Sequence, residues 1–268
     1  MTKGILIFAQ GQDINYLSLA KIAAKRVKYF LDLPISVVVD YDYDNNDKIF
    51  DQVIKKSTNK TQSRIIHDGE NSKKIKWYNF DRSDCFELTP YDETIVIDSD
   101  YIINSKHLLR CFDLNSDLLL FKNHYHLLGN RYNSIFTYIN EFGIPFYWAT
   151  IFYFKKTNFT RSFFNLVQYI RENWTYYSLL YQIKDPKFRN DFAFSIAVNL
   201  MTLHMTSDNF GFIPGKLYYV IDRDELIDIK DDKLVFSMKS SDQSNIFSQT
   251  SILDVHIMNK ESILRVLE

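Results

Sequence analysis

Cysteine is nearly absent. Cys85 and Cys111 are the only two in 268 residues. They have no metal-ligand spacing and no further cysteines with which to build a framework. That excludes a thiolate zinc site and a disulfide scaffold, and the pair reads as buried free thiols in a reducing compartment. Long apolar runs are missing too. Ile5-Leu6-Ile7-Phe8-Ala9 is too short for the apolar core of a signal peptide. Ile144 to Phe154 contains Pro145 and Thr150 and is too short to span a bilayer, so no membrane partner is expected. Neither sign of charge dominates. With 32 Lys+Arg against 33 Asp+Glu the net charge is −1, which announces neither a nucleic acid nor a membrane surface. None of the 7 glycines falls in a G-x-G-x-x-G pattern, so the dinucleotide fingerprint is excluded. There is no internal repeat and no low-complexity segment.

What is present is a core. Apolar residues make up 46% of the chain, enough for one sizeable domain of this length. Aromatics reach 16%, which fits either the codon bias of a low-GC genome or surfaces that stack on sugars or bases.

The first forty residues read β-α-β. Gly4 to Ala9 is a buried strand and Gln10-Gly11-Gln12 a tight loop. Leu17, Ala20, Ala24, Val27 and Leu31 recur at helical spacing. Asp13 or Asn15 is placed to cap that helix, and Leu33-Pro34 ends it. Ile35 to Asp40 is a second strand. A crossover helix between two such strands implies parallel pairing and a Rossmann-like half. Gln10 and Asp40 then lie at the carboxyl edge, where a base and ribose bind; the plainer role for Asp40 is a loop-starting carboxylate.

Gln52-Val53-Ile54 reads as a third short strand. Lys55, Lys56, Lys60 and Arg64, then Lys73, Lys74 and Lys76, make basic runs. Such runs are usually solvated faces; the alternative is phosphate binding. Asp81-Arg82-Ser83-Asp84 precedes a Thr89-Pro90-Tyr91-Asp92 turn, with Arg82 placed in sequence to reach a diphosphate.

Glu93-Thr94-Ile95-Val96-Ile97-Asp98-Ser99-Asp100 organises the rest. Four β-branched residues, Thr94 to Ile97, form a strand buried on both faces. It ends in two acids at i and i+2, which point the same way on an extended chain, about 6 to 7 Å apart. Two hard oxygen donors at a strand end suit a divalent cation, and ligands of α/β sheets bind beyond the carboxyl ends of the strands. The plain alternative is a solvated acidic turn.

Downstream, Ser105 to Phe112 reads as a short helix, Asp117 to Phe121 as a strand and Asn123 to His126 as a polar loop. Phe146 to Phe154 is aromatic strand material. Thr160 to Tyr181 is helical by pattern, as is Phe192 to Leu203. Asp191 opens that last helix, either as a first-turn acid stabilised by the helix dipole or as a catalytic base. Ile221 to Ser244 suggests a surface hairpin. Asp254 to Lys260 precedes a short helix, Glu261 to Leu267.

The D-x-D strand end resembles the metal site of nucleotide-sugar glycosyltransferases of the GT-A type. A longer linked pattern resembles one group in particular. Gly4 to Ala9, Pro34 to Asp40, Leu88 to Thr94 running into Asp98-Ser99-Asp100, Trp148-Ala149-Thr150, Arg189-Asn190-Asp191 and Asp254 to Met258 are similar to tailed-phage glycosyltransferases of the T-even β-glucosyl-HMC α-glucosyltransferase family. The resemblance implies an α/β fold, a single GT-A-like domain with a mixed central sheet. Residues 1–105 would be its Rossmann-like nucleotide-sugar half, and 106–268 the acceptor half with a C-terminal metal-ligand segment.

It further implies Mn²⁺ or Mg²⁺ held by Asp98, Asp100 and His256, an imidazole favouring Mn²⁺. Gln10, Asp40, Arg82 and Ser99 would contact a UDP-sugar. Asp191 would be the general base of an inverting transfer. The implied acceptor is a hydroxyl on glycosylated 5-hydroxymethylcytosine in double-stranded phage DNA, and the implied location the cytoplasm of an infected bacterial host. The alternatives are transfer to a surface polysaccharide or protein glycan, and a nucleotide-binding module without chemistry.

Overall fold

The computed structural model describes residues 1–46, 48–57, 60–78, 80–129, 136–140, 143–185, 187–203, 207–239 and 244–268. The chain opens with β1 (Lys3–Ala9), α1 (Tyr16–Phe30), β2 (Ile35–Val39) and β3 (Gln52–Lys55). Asn15 caps α1 by accepting from the Ser18 amide at 3.0 Å. Leu19, Ala20, Ala23, Ala24 and Val27 form the buried stripe of α1. β1 pairs parallel to β2, and β2 to β3. The Rossmann-like start is therefore as the β-α-β pattern implies.

Arg64 of the first basic run, and Lys73, Lys74 and Lys76 of the second, fall in a hairpin, β4 (Gln62–Asp68) and β5 (Asn71–Trp77). A 3₁₀ turn at Asp81–Asp84 leads into α2 (Cys85–Leu88), then β6 (Glu93–Asp98) and β7 (Tyr101–Ile102). Thr94 to Ile97 are fully buried, as expected of a strand covered on both faces. β8 (Leu118–Phe121), β9 (His124–His126) and β10 (Trp148–Lys155) follow, then α3 (Asn158–Glu172), α4 (Trp174–Leu180) and α5 (Asn190–Thr202). The chain ends with β11 (Phe210–Phe212), β12 (Leu217–Val220), β13 (Glu225–Lys230), β14 (Lys233–Lys239), β15 (Asn245–Gln249), β16 (Val255–Ile257) and α6 (Lys260–Leu267).

The fold is α/β around a seven-stranded mixed sheet, ordered β11-β8-β10-β6-β1-β2-β3. β6 is parallel to β1, whereas β10 runs antiparallel to both β6 and β8. Phe152 and Phe154 of β10 pack on Phe164 of α3, and Phe152 also on Phe194 of α5. Much of the aromatic excess is therefore core. A second sheet, β7-β16-β12-β9, stands beside the first. Its β16 pairs with β7 so that His256 lies opposite Tyr101, the residue after Asp100. The two cysteines are free and buried, and burial pushes the Cys111 thiol up to about 12. Among the described residues no helix is long and apolar enough to cross a membrane.

Three local expectations change. His124–His126 is a strand paired with β12, not a loop. The helix expected over Thr160 to Tyr181 divides at Asn173, which closes α3 and opens α4. The expected surface hairpin is part of a three-stranded sheet, β13-β14-β15. Leu234, Phe236 and Met238 alternate inward along β14, a period that Val235 between them and the flanking lysines disguise.

β9 is locked to the end of β12 by a buried pair. The Leu128 amide donates to His126 Nδ1, so the proton sits on Nε2 and reaches Asp224 Oδ2 at 3.0 Å. Asp224 also accepts from the amides of Ile221 and Lys239. Asp224→Ala would strand three donors in the core. It is expected to destabilise the protein by about 3 kcal/mol, at about 1 to 3 per unsatisfied buried group. A urea midpoint unchanged in that variant would contradict this.

Candidate active site

Ladder register sets the floor of the cleft. Asp98, the last residue of β6, pairs with Phe8 of β1. The chain then turns through Ser99 to Asp100, and both are buried. The antiparallel β16–β7 pair brings His256 against this turn, and the Ile257 amide donates to the Asp100 carbonyl at 3.0 Å. One ligand atom each from Asp98, Asp100 and His256 lies within 4.8 Å of the others.

Each carboxylate has a cation beside it. Arg82 contacts Asp98 and also donates to the Ala149 carbonyl. Lys260 Nζ lies 2.6 Å and His256 Nε2 3.5 Å from Asp100. Burial by itself would raise the Asp100 carboxyl, but the charges of Lys260 and His256 outweigh it and hold the group well below the usual range. Asp100 is thus an anion in place, ready to act as a ligand without first losing a proton. Burial lowers the Arg82 guanidinium from its ordinary value. His256 Nδ1 is buried without a hydrogen-bond partner among the described residues. Two carboxylates and an imidazole make a donor set that fits Mn²⁺ and, less well, Mg²⁺.

β10 and α5 form the opposite wall. The register of β10 against β8 shifts between Trp148 and Phe152. Such an irregularity frees backbone groups from the ladder and re-aims the strand. Here the Ala149 amide donates to Asp191 Oδ1 at 2.8 Å. Asp191 lies in the first turn of α5, and Arg189 donates to its Oδ2, also at 2.8 Å. Arg189 itself lies over Phe192, 5.3 Å from the ring centre.

Asp98, Ser99, Asp100, His256, Gln10, Arg82 and Asp191 all line this one cleft. Asp40 does not. Its Oδ2 accepts from the Gly11 amide at 3.1 Å, bracing a loop in which Gly11 takes φ +105. A side chain at Gly11 would be strained there and would meet the Tyr78 ring at 2.9 Å. Gln10 donates to Asp81 at 2.8 Å. Burial raises the Asp81 carboxyl, with that hydrogen bond opposing.

Sequence reasoning missed Arg64 and Trp77 as cleft residues. They face inward from the β4–β5 hairpin, and the Arg64 guanidinium lies 5.0 Å from the Trp77 ring centre. Their strands alternate, but the lysines of the outer face dominate the pattern. Lys260 was also missed; it opens α6 just after the strand that carries His256, and no spacing rule links the two.

No protein-family model matches the sequence, and no curated protein does. Among solved structures the chain is similar to the glycosyltransferase GlyE of Streptococcus pneumoniae TIGR4, with 13% identity and a TM-score of 0.42. That match covers 80% of this chain and 46% of the other, so the chain spans about half that protein's length. It is also similar to the galactosyltransferase LgtC in complex with donor and acceptor sugar analogs. There the identity is 12% and the TM-score 0.47, over 78% of this chain and 72% of that one. For an active-site mutant of LgtC the figures are 16% and 0.49, over 81% and 72%. No residue role is carried over from these proteins.

Proposed function

We propose that the protein is a metal-dependent GT-A-like glycosyltransferase that moves a sugar from a UDP-sugar to a hydroxyl. The observation that carries this is the convergence of Asp98, Asp100 and His256 at the carboxyl edge of a parallel strand, inside a cleft. Asp98, Asp100 and His256 would hold the cation. Bound there, it supplies Lewis-acid neutralisation of the charge that develops on the leaving diphosphate. Arg82 stands beside Asp98, placed to share a diphosphate oxygen. Gln10 and Ser99 line the donor side, with Asp40 bracing the Gly11 loop. Residues 1–105 would bind the donor, and 106–268 the acceptor.

Asp191 is the base in this reading. Its two hydrogen bonds use one lone pair on each oxygen, and a carboxylate has about four acceptor sites. A hydroxyl proton can therefore still be accepted. As the acceptor oxygen bonds to the anomeric carbon, the bond to the diphosphate breaks on the opposite side and the proton passes to Asp191. That displacement inverts the centre. The acceptor implied by the sequence resemblance is glycosylated 5-hydroxymethylcytosine in DNA. Trp77 and Phe136, both half-buried in the cleft lining, favour a second reading, a free glycan stacked on aromatic walls.

The deciding experiment incubates the protein with Mn²⁺, a panel of UDP-sugars, and either DNA carrying hydroxymethylated or glucosylated cytosine or neutral oligosaccharides. Nucleosides and glycans are then weighed. A mass gain of one sugar on DNA supports the first reading, and a gain only on oligosaccharide supports the second. No UDP release from any donor overturns both.

A further inference from the structure

We propose that Arg64, with Arg189 facing the same cleft, binds a phosphodiester anion of the acceptor beside the hydroxyl that receives the sugar. This deepens, and rests on, the glycosyltransferase reading.

The cleft holds four cationic side chains, Arg64, Arg82, Arg189 and Lys260. Three have an acid partner: Arg82 has Asp98, Lys260 has Asp100, and Arg189 has Asp191. The Arg64 backbone is in the β4–β5 ladder, but its guanidinium makes no hydrogen bond or ion pair with any described residue; its contact is the Trp77 ring. Burial first, then the charge of Arg189, lower the Arg64 guanidinium from the ordinary value, with Asp222, Tyr16 and Asp100 opposing from beyond ion-pair distance. Arginine does not deprotonate in proteins, so this field is a cost carried by the charged form. An anion entering between the two guanidiniums would relieve it. The guanidinium fork matches phosphate oxygens, and the stacked indole leaves the edge donors free.

Arg64 is also held in place. Gln62 exchanges two hydrogen bonds with Phe188, both 2.9 Å, tying the hairpin to the segment that carries Arg189. The Lys76 amide donates to Asp13 at 2.6 Å, tying it to the start of α1. Around this fixed point the rim is basic. Lys73, Lys74 and Lys76 are exposed on β5, and Lys187 is exposed next to Phe188. A lone carboxylate would need no such rim, whereas a chain of phosphates passing over the hairpin would meet it. The donor diphosphate already has Arg82, Lys260 and the cation that Asp98, Asp100 and His256 would hold, which leaves Arg64 for the acceptor.

A chemical double-mutant cycle tests this. The probe is a duplex oligonucleotide with one glucosylated 5-hydroxymethylcytosine, its flanking linkages either ordinary phosphates or uncharged methylphosphonates. Affinity is measured for the wild type, Arg64→Gln and Arg64→Lys. Neutralising the linkages is expected to weaken the wild type about tenfold, the lower range for a hydrogen bond to a charged group. Arg64→Gln should start about tenfold weaker and lose less than about twofold more, with Arg64→Lys between. The slope of log affinity against log salt should fall by about 0.9 in Arg64→Gln. Equal losses in wild type and Arg64→Gln would overturn the proposal. So would wild-type protein that binds no DNA, or that binds a neutral glucoside as tightly. If wild type releases no UDP from any donor while the cycle closes as expected, the glycosyltransferase reading falls and the anion site stands.

Discussion

Asp100→Asn is expected to lower sugar transfer by about 10² to 10³-fold with the fold intact. The side chain keeps its shape and one oxygen, so Lys260 retains an acceptor where the ammonium now lies at 2.6 Å. What is lost is a full negative charge at the cation site, in a buried position. A cation there contributes several kcal/mol to stabilising the leaving group, and each 1.36 kcal/mol is tenfold in rate. Losing about 3 to 4 kcal/mol of that contribution gives the stated range. Asparagine also leaves a net excess of cations around the turn, from Arg82 and Lys260, which opposes Mn²⁺ directly. Asp100→Ala goes further and strands Lys260, so it adds a folding cost that Asp100→Asn avoids. The decisive measurement is Mn²⁺ binding, by electron paramagnetic resonance or calorimetry, beside turnover with and without EDTA. Full turnover in EDTA, or wild-type Mn²⁺ affinity in Asp100→Asn, would remove metal chemistry from the site.

The reach of the sequence differs from residue to residue, and the reason is locality. Asp98 and Asp100 were legible because they stand two residues apart at the end of one strand, although it is a turn after Asp98, and not the period of an extended strand, that brings them together. The parallel β1–β2 unit was legible for the same reason, since the helix between them leaves few topologies open. His256 is different. Its approach to Asp100 depends on β16 pairing with β7 across more than 150 residues, and no local pattern encodes that pairing. Only the resemblance of a whole series of segments pointed to it. Asp40 was read as a cleft residue because it ends a parallel strand, yet its carboxylate is turned to the Gly11 amide. The deciding feature was the left-handed glycine, whose loop needs an acceptor. Arg64 was hidden among lysines. In β4 and β5 the inward residues, Arg64 and Trp77, are as polar or amphipathic as the outward ones. Binary patterning therefore could not separate a cleft face from a solvated one. The β10 irregularity, which frees Ala149 to hold both Asp191 and Arg82, has no signature in Trp148-Ala149-Thr150 at all.

The second large effect concerns Asp191, and the structure alters how it must be tested. General-base catalysis contributes about 10² to 10⁴ in rate, so removing the base should cost turnover by that amount while donor affinity changes little. Asp191→Asn is not a silent isostere, however. Asp191 accepts from two donors, the Ala149 amide on one oxygen and Arg189 on the other. An asparagine offers one acceptor and one NH₂ group. Whichever way it turns, one donor is left facing another donor, at a cost of about 1 to 3 kcal/mol. Loss of turnover in Asp191→Asn would therefore mix a missing base with a displaced Arg189 or Ala149. Arg189→Met separates the two. It keeps the carboxylate and its bond to Ala149 but removes the partner that orients Oδ2, and with it Arg189's share of the acceptor-anion site, so turnover is compared at saturating acceptor. If Asp191 is the base, Arg189→Met loses far less turnover than Asp191→Asn. If Asp191 only orients the wall, the two variants fall together. Equal losses in both would assign Asp191 a positioning role and leave the inverting mechanism without its base.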